Sequence, residues 1–148
     1  MEVKNLFDAS VKKEMIDRIN TLTPSSQRKW GKMEVAQMLA HLQKPINFCY
    51  GNHEIKGSFI LKLLGPMFKS VLFNNKPYKQ GLPTDTTYVV SDAREFEKEK
   101  QELLRLLDRF TESNISDRRH PVFGQLSKEQ WGLATWKHLD HHLKQFGA

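Results

Sequence analysis

The chain lacks most of the features that mark secreted, membrane and disulfide-bonded proteins. Its 148 residues include one cysteine, Cys49, so no internal disulfide framework and no site built on paired cysteines can form. No apolar run approaches the roughly 20 residues that a membrane-spanning helix needs. The first residues also lack the apolar stretch of a signal peptide. We therefore expect a cytoplasmic protein that has no membrane partner.

Several functional motifs are missing as well. The sequence contains no glycine-rich phosphate loop, no nucleophile elbow, no internal repeat and no low-complexity segment. Its net charge is +6, but no run of five or six like charges occurs, so the surplus indicates mostly solvated surface. This charge suits an anionic small molecule or a weak nucleic-acid contact, although the basic residues are spread through the chain. The length and the 39% hydrophobic content predict one globular domain, residues 1–148.

What the chain does have is apolar residues at helical spacing, and no segment alternates convincingly as a β-strand does. Four long helices are predicted, over about residues 8–22, 33–50, 92–112 and 127–146. The second has a narrow buried stripe that includes Cys49 as a small apolar residue. Pro45 lies within the same helix and predicts a kink or an early end, because proline removes a backbone hydrogen bond.

Two pairs of residues predict how the last two helices begin. Asp92 with Glu95, and Ser127 with Gln130, have the three-residue spacing of a capping box. A side chain at the first position then accepts from the first turn, and the later side chain accepts from the cap residue. We expect both pairs to fix the start of their helices.

The four helices predict an all-α four-helix bundle. About ten residues join the first two helices, so we expect these two to be antiparallel. The link between the second and third is about four times longer and can cross the bundle, which would let those two run parallel. Within this link, residues 59–73 are rich in large apolar side chains. We expect one or two short helices there, with these side chains largely buried as core or lid. A membrane-surface role is the less favoured alternative, because Gly65-Pro66 breaks the segment and it carries only Lys62 and Lys69.

Three of the six histidines lie in the last predicted helix: His138, His141 and His142. Residues four apart project from one face about 5–6 Å apart at Cβ, so His138 and His142 can reach the same metal ion. His141 is turned away from His142 by about 100° and is the least suited to share that site. His41 lies on the flank of the buried stripe of the second helix. A helical pair of histidines alone more often makes ordinary hydrogen bonds, but the edge of the core and a further histidine favour a metal site.

A second, weaker candidate binding site lies in the predicted loop before the last helix. Arg118 and Arg119 precede His120, and two guanidinium groups beside an imidazole can bind an anion. An ordinary surface loop is the commoner interpretation of such a triplet.

Taken together, these residues resemble the DinB-like (DinB/YfiT-like) superfamily of metal-binding four-helix bundles, most closely an uncharacterised branch of it. The resemblance covers nearly the whole chain. It rests on residues 30–42, 120–124, 126–132 and 138–147, and the last of these motifs is the most specific. It implies an up-down-down-up bundle, often a homodimer, with a long partly helical crossover between helices two and three. It also implies that one histidine of helix two and a four-apart pair of helix four bind a divalent metal, which here would be His41, His138 and His142.

The resemblance and the histidines together predict a metal-dependent enzyme. Three neutral imidazoles leave an open coordination position, at which zinc or nickel, or else iron, would activate a water or a thiol. Some relatives use a low-molecular-weight thiol, so we expect a hydrolase or a thiol S-transferase that acts on a small molecule. The alternatives are a non-catalytic metal- or small-molecule-binding bundle and, on charge alone, a nucleic-acid-associated protein. The sequence identifies no substrate and no general acid or base.

Overall fold

The computed structural model describes residues 1–82 and 84–148, and the side chains of Ile60 and Leu61 lie outside this description. Five α-helices occur: α1 (Ala9–Thr21), α2 (Val35–Cys49), α3 (Phe59–Leu64), α4 (Phe96–Asp108) and α5 (Lys128–Gln145). Two 3₁₀ segments, Gly65–Leu72 and Thr86–Tyr88, lie between α3 and α4. In the described part of the chain the only β contact is an isolated bridge between His120 and Gly124. The all-α class that the sequence predicts is confirmed.

The helix ends show which local signals are decisive. In α5 the predicted capping box is present, since Gln130 N donates to Ser127 Oγ and Ser127 N donates to Gln130 Oε1, each at 3.1 Å. The box predicted at Asp92 is wrong. Helix α4 begins only at Phe96, and the Asp92 carboxylate pairs with Arg94 at 3.1 Å instead. An arginine two residues away outcompetes the backbone for this carboxylate.

Pro45 does not end its helix. Helix α2 continues through it to Cys49, which is buried as the sequence predicts. Pro45 removes only its own hydrogen bond to the carbonyl of His41, and the packing of α2 on α4 and α5 keeps the helix intact. His41, four residues before Pro45, therefore stays in regular helix and keeps its side chain directed across the bundle.

The four long helices enclose the core. Helices α1 and α2 each pack on both α4 and α5. The buried apolar side chains form one cluster to which every long helix contributes, for example Met15, Leu39, Leu106 and Leu143. Among the described residues, no helix combines the length and the apolar character needed to cross a membrane. The contact between α2 and α5 is the one that positions the histidines.

The prediction that residues 59–73 are largely buried is wrong. Short helices form there, as expected, but Phe59, Leu63, Met67 and Phe68 are exposed. The backbone at Gly65 presses so closely on the loop before α5 that an added Cβ would lie 2.2 Å from the carbonyl oxygen of Val122. The segment thus rests on the bundle along one edge. Its other side has no described part of the chain to pack against.

One buried charge was not expected. Lys137 is 1% exposed, and its Nζ donates to Val71 O at 2.7 Å and to the backbone and side-chain oxygens of Asn74 at 2.9 Å. Burial lowers the pKa of this lysine to about 8. The three acceptors match the three donors of an ammonium group, which favours the charged form. Lys137 thereby ties the end of the second short helical segment to α5, one residue before His138.

We expect replacement of Lys137 by Met to destabilise the fold by about 2 kcal/mol, because the oxygens of Val71 and Asn74 lose their buried donor. The measurement is the free energy of urea unfolding. Lys98→Met is the matched control, since Lys98 is exposed on α4 and its loss should change stability by less than about 0.5 kcal/mol. Equal stability of the two variants would show that the buried ammonium contributes nothing to the fold.

Candidate metal centre

The structure brings together the three histidines that the sequence singles out. His41 projects from the middle of α2, and His138 and His142 project from adjacent turns of α5. One ring nitrogen from each residue lies within 4.8 Å of the others, a group that can hold a metal ion. His41 and His142 are buried and His138 is half-buried. The site therefore lies inside the α2–α5 contact and reaches the solvent beside His138.

The closest pair of nitrogens crosses from one helix to the other. Nε2 of His41 lies 3.0 Å from Nε2 of His138. Two imidazole nitrogens on one tetrahedral zinc ion are separated by about 3.3 Å, as follows from metal–nitrogen distances of about 2.0–2.1 Å. The ring of His142 is 4.7 Å from that of His41 and 4.8 Å from that of His138, centre to centre. Only small side-chain rotations separate this arrangement from a shared coordination sphere.

A backbone carbonyl fixes the tautomer of His41. Nδ1 of His41 donates to the carbonyl oxygen of Tyr88 at 2.9 Å. That carbonyl lies at the end of a short 3₁₀ segment, which Asp85 caps by accepting from Thr87 N at 2.9 Å. Because Nδ1 carries the proton, Nε2 of the neutral ring presents its lone pair towards the other two histidines.

The side-chain amide of Gln145 fixes the tautomer of His142. Nδ1 of His142 is 2.8 Å from Oε1 of Gln145, and Nε2 of Gln145 donates to the carbonyl oxygen of Trp30 at 2.8 Å. A carbonyl can only accept, so the Trp30 contact determines which end of the amide faces His142. Gly31 has φ +80°, and a Cβ there would lie 2.6 Å from the Gln145 amide nitrogen. A glycine at this position therefore leaves room for the amide that orients His142.

The donor set suits a bound cation. His41 and His142 both direct an unprotonated Nε2 inwards, and Nε2 of His138 lies 3.0 Å from that of His41. Without a cation, His138 must place its own proton between the two nitrogens, because facing lone pairs repel each other. A cation would take the place of that proton. Among residues 1–82 and 84–148 no acceptor holds a proton on Nδ1 of His138, so of the three rings this is the one whose proton can lie on Nε2 when no cation is bound.

The surroundings keep the three rings neutral. Burial lowers the pKa of His142 to about 3, with His41 as a further cause. Burial lowers the pKa of His41, and its bond to the Tyr88 carbonyl only partly offsets this. Burial and then the neighbouring His142 and His41 lower the pKa of His138 well below its usual value. Neutral imidazole is the form that binds metals, so the lone pairs are available at physiological pH.

Two other histidines lie near the centre without joining it. His141 packs between Trp30 and Tyr78, with ring centres 5.7 and 5.6 Å away, and lines an open cavity of about 250 Å³. Its ring is turned away from the metal-competent nitrogens, as the helical geometry predicts. His53 bonds to the Thr87 hydroxyl at 3.2 Å, behind Tyr88.

The loop before α5 does not form the anion site considered from the sequence. Arg118 donates to Glu54 at 2.7 Å and to the carbonyl oxygen of His53 at 3.1 Å, so its guanidinium is already paired. His120 points inwards. Its Nδ1 accepts from the backbone N–H groups of Val122 at 3.1 Å and Phe123 at 3.2 Å. The histidine shapes a turn and does not face a ligand.

Sequence reasoning missed the residues that orient the metal-competent rings. Gln145 stands three residues after His142, so helical spacing alone was sufficient to suggest the contact. Nothing local pointed to Tyr88, because a carbonyl 47 residues from its partner along the chain reaches it only through the fold.

Comparison with known proteins gives one match. Residues 4–148 match the family described as "Protein of unknown function (DUF1569)". The chain belongs to this family. No curated protein and no solved structure matches it. The family description assigns no activity, and nothing in these comparisons confirms the resemblance to the DinB-like superfamily, which stays a prediction.

His120 gives a test of burial that does not involve the metal. Burial lowers its pKa from 6.5 to about 4, so below about pH 6.5 the unfolded chain binds a proton that the folded chain does not. Stability is therefore lost as the pH falls from about 6.5 towards 4. We expect His120→Asn, whose side-chain oxygen can still accept from the two amides, to reduce this loss by up to about 1.4 kcal/mol per pH unit.

The measurement is the free energy of urea unfolding of both proteins across that pH range. Other buried histidines contribute equally to both proteins, so the difference isolates His120. Identical pH dependence would mean that His120 takes up its proton in the folded state as readily as in the unfolded one.

Proposed function

We propose that His41, His138 and His142 bind one divalent metal ion, zinc or nickel or else iron, and that the protein is a metal-dependent enzyme. The observation that carries the proposal is the convergence of three neutral imidazoles from two helices, two of which have their second nitrogen fixed by an oxygen acceptor. Metal-binding histidines generally have such acceptors, whereas histidines that only pack do not need their lone pairs to converge.

The proposed activity is that of a hydrolase or a thiol S-transferase. A divalent metal held by three imidazoles keeps an open position and lowers the pKa of a water or thiol that occupies it. The chain's own contribution is to hold the rings of His41 and His142 in a fixed orientation and, through burial, to keep all three imidazoles unprotonated.

We propose that the substrate is a small molecule. The cavity of about 250 Å³ has Trp30, Tyr78 and His141 among its lining residues and none of the three proposed ligands, and the ring of His141 is 5.0 Å from that of His142. Because its aromatic walls suit an apolar group, we propose that it binds the organic part of the substrate while the reacting group extends past His141 towards the metal site.

We further propose that the long helices follow the up-down-down-up order of a DinB-like bundle in one domain. Several contacts between helices support this order. In parallel helices the residue numbers of successive contacts rise in both helices, and in antiparallel helices they rise in one and fall in the other. They are Gln43–Glu99 with Tyr50–Leu106 (α2 and α4), His41–His138 with Phe48–Trp131 (α2 and α5), and Lys12–Phe110 with Lys100–Asn20 (α1 and α4).

Metal stoichiometry tests the site directly. We expect purified protein to retain about one divalent ion per chain after dialysis. Replacing His41, His138 or His142 by Ala should abolish retention, because two imidazoles no longer hold the ion tightly. His53→Ala, His120→Ala and His141→Ala are the matched controls and should retain the metal. Retention by the first three variants would refute the ligand assignment, as would a larger effect of His141 than of His138.

Protons and the metal ion compete for the same three imidazole nitrogens, and the lowered pKa values favour the metal. Because burial lowers the pKa of all three imidazoles, protons should displace the metal only at a pH well below the usual histidine value of about 6.5. Equilibrium dialysis at stepwise lower pH measures this. Loss of half the metal already at about pH 6.5 would show that the rings titrate like exposed histidines.

Gln145 offers a test of the orienting contact. Gln145→Met keeps the size of the side chain but removes the acceptor for Nδ1 of His142, so we expect metal affinity to fall about 10- to 100-fold. Gln101→Met, on the exposed face of α4, is the control and should leave affinity unchanged. The readout is a competition titration against a chromophoric chelator. Equal affinities of the two variants would show that the amide does not support the ligand.

A further inference from the structure

Residues 55–84 carry nearly all of the surplus charge of the chain. This stretch contains five lysines and no other charged residue, which accounts for +5 of the net +6. Of these lysines, Lys56, Lys62, Lys76 and Lys79 are exposed, and Lys69 is half-buried. The net positive charge is thus concentrated on one segment, because acidic residues nearly balance the basic residues of the rest of the chain.

The same segment exposes several large apolar side chains. Phe59 is 80% exposed, Leu63 67%, Met67 77% and Phe68 56%. Phe59 and Leu63 are four residues apart in α3 and share one side of that helix, and Met67 and Phe68 follow in the adjoining 3₁₀ segment. We call these four side chains the apolar ridge. A contiguous exposed apolar patch of this kind marks an interaction surface.

Contacts with the bundle hold the side of the segment opposite the apolar ridge. Gly65 is pressed against Val122, Lys69 donates to the Gln125 carbonyl, and Lys137 holds the carbonyl oxygens of Val71 and Asn74. These contacts use the inner edge and leave the ridge directed outwards. The exposure is therefore a property of the folded chain.

We propose that the apolar ridge and its lysines form a docking surface for an anionic lipid bilayer, with the ridge inserted among the headgroups. Apolar side chains flanked by lysines are the pattern of segments that lie in the plane of a membrane interface. The absence of acidic residues from the segment complements a negatively charged leaflet. This inference does not depend on the metal site.

Two features favour lipid over a protein partner. All five cations are lysines, which protein interfaces deplete, whereas arginine, which they enrich, is absent from the segment. A symmetric dimer through the ridge would place the same lysines of two copies against each other, with no acidic residue of the segment to pair with them. The sequence disfavoured a membrane-surface role for residues 59–73 because their side chains were expected to be buried, and the structure contradicts that expectation.

The experiment is co-sedimentation of the full chain with vesicles of phosphatidylcholine alone and with about one-third phosphatidylserine. We expect binding only to the anionic vesicles. Phe59→Ser with Met67→Ser should weaken it at least tenfold, and Lys62→Gln with Lys76→Gln about 25-fold, or about fivefold for each lysine. The control is Lys32→Gln with Lys98→Gln. It removes the same amount of charge from two exposed lysines outside the segment and should change binding much less.

Three outcomes would overturn the proposal. They are no binding of the wild type to anionic vesicles, equal binding to both kinds of vesicle, and undiminished binding of the serine variant. Light scattering on the same proteins tests whether a second copy of the chain, and not lipid, covers the apolar ridge. A wild-type dimer that the two serine substitutions dissociate would assign the ridge to a second copy of the chain. All substituted side chains are exposed, so circular dichroism should show every variant folded.

Discussion

Three imidazole rings with converging nitrogens, held between α2 and α5, are the constraint on which the rest of the site depends. Burial makes their charged forms costly, so the rings stay neutral and keep their lone pairs. Neutral rings whose nitrogens face each other at 3.0 Å need a proton or a cation between them. A hydrogen bond that His138 donates to His41 meets this need in the neutral cluster, and a bound metal ion would meet it as well.

The surrounding contacts keep this arrangement in place. The Tyr88 carbonyl and the Gln145 amide each occupy the outer nitrogen of one ring, and the Trp30 carbonyl in turn orients the amide. Lys137 fastens the crossover to α5 next to His138. The long link between α2 and α4 therefore does two things at once. Its end supplies an acceptor to His41, while its first part presents an apolar, basic surface to the outside.

Whether a local sequence pattern predicted a contact correctly depended on which other residues compete for the same groups and on how far apart the partners lie in the chain. The capping box of Ser127 and Gln130 involves neighbours in one turn, and it was predicted correctly. Asp92 has equally suitable spacing, but Arg94 takes its carboxylate and α4 starts later. Phe59, Leu63, Met67 and Phe68 were expected in the core because large apolar side chains are usually buried, but they are exposed. The side of the segment that does face the bundle is the one at Gly65, whose close approach to Val122 is a contact between segments far apart in the chain.

The sequence by itself determined the helical class, the four long helices and the shared face of His138 and His142, because helical periodicity is a local property of the chain. It also marked His41 as a histidine at the edge of a buried stripe. Only the tertiary structure decided that His41 meets the pair, that Tyr88 and Gln145 fix two of the tautomers, and that Lys137 is buried while Phe59 is not. These outcomes depend on which surfaces of distant segments come into contact, and that depends on the packing of the whole chain.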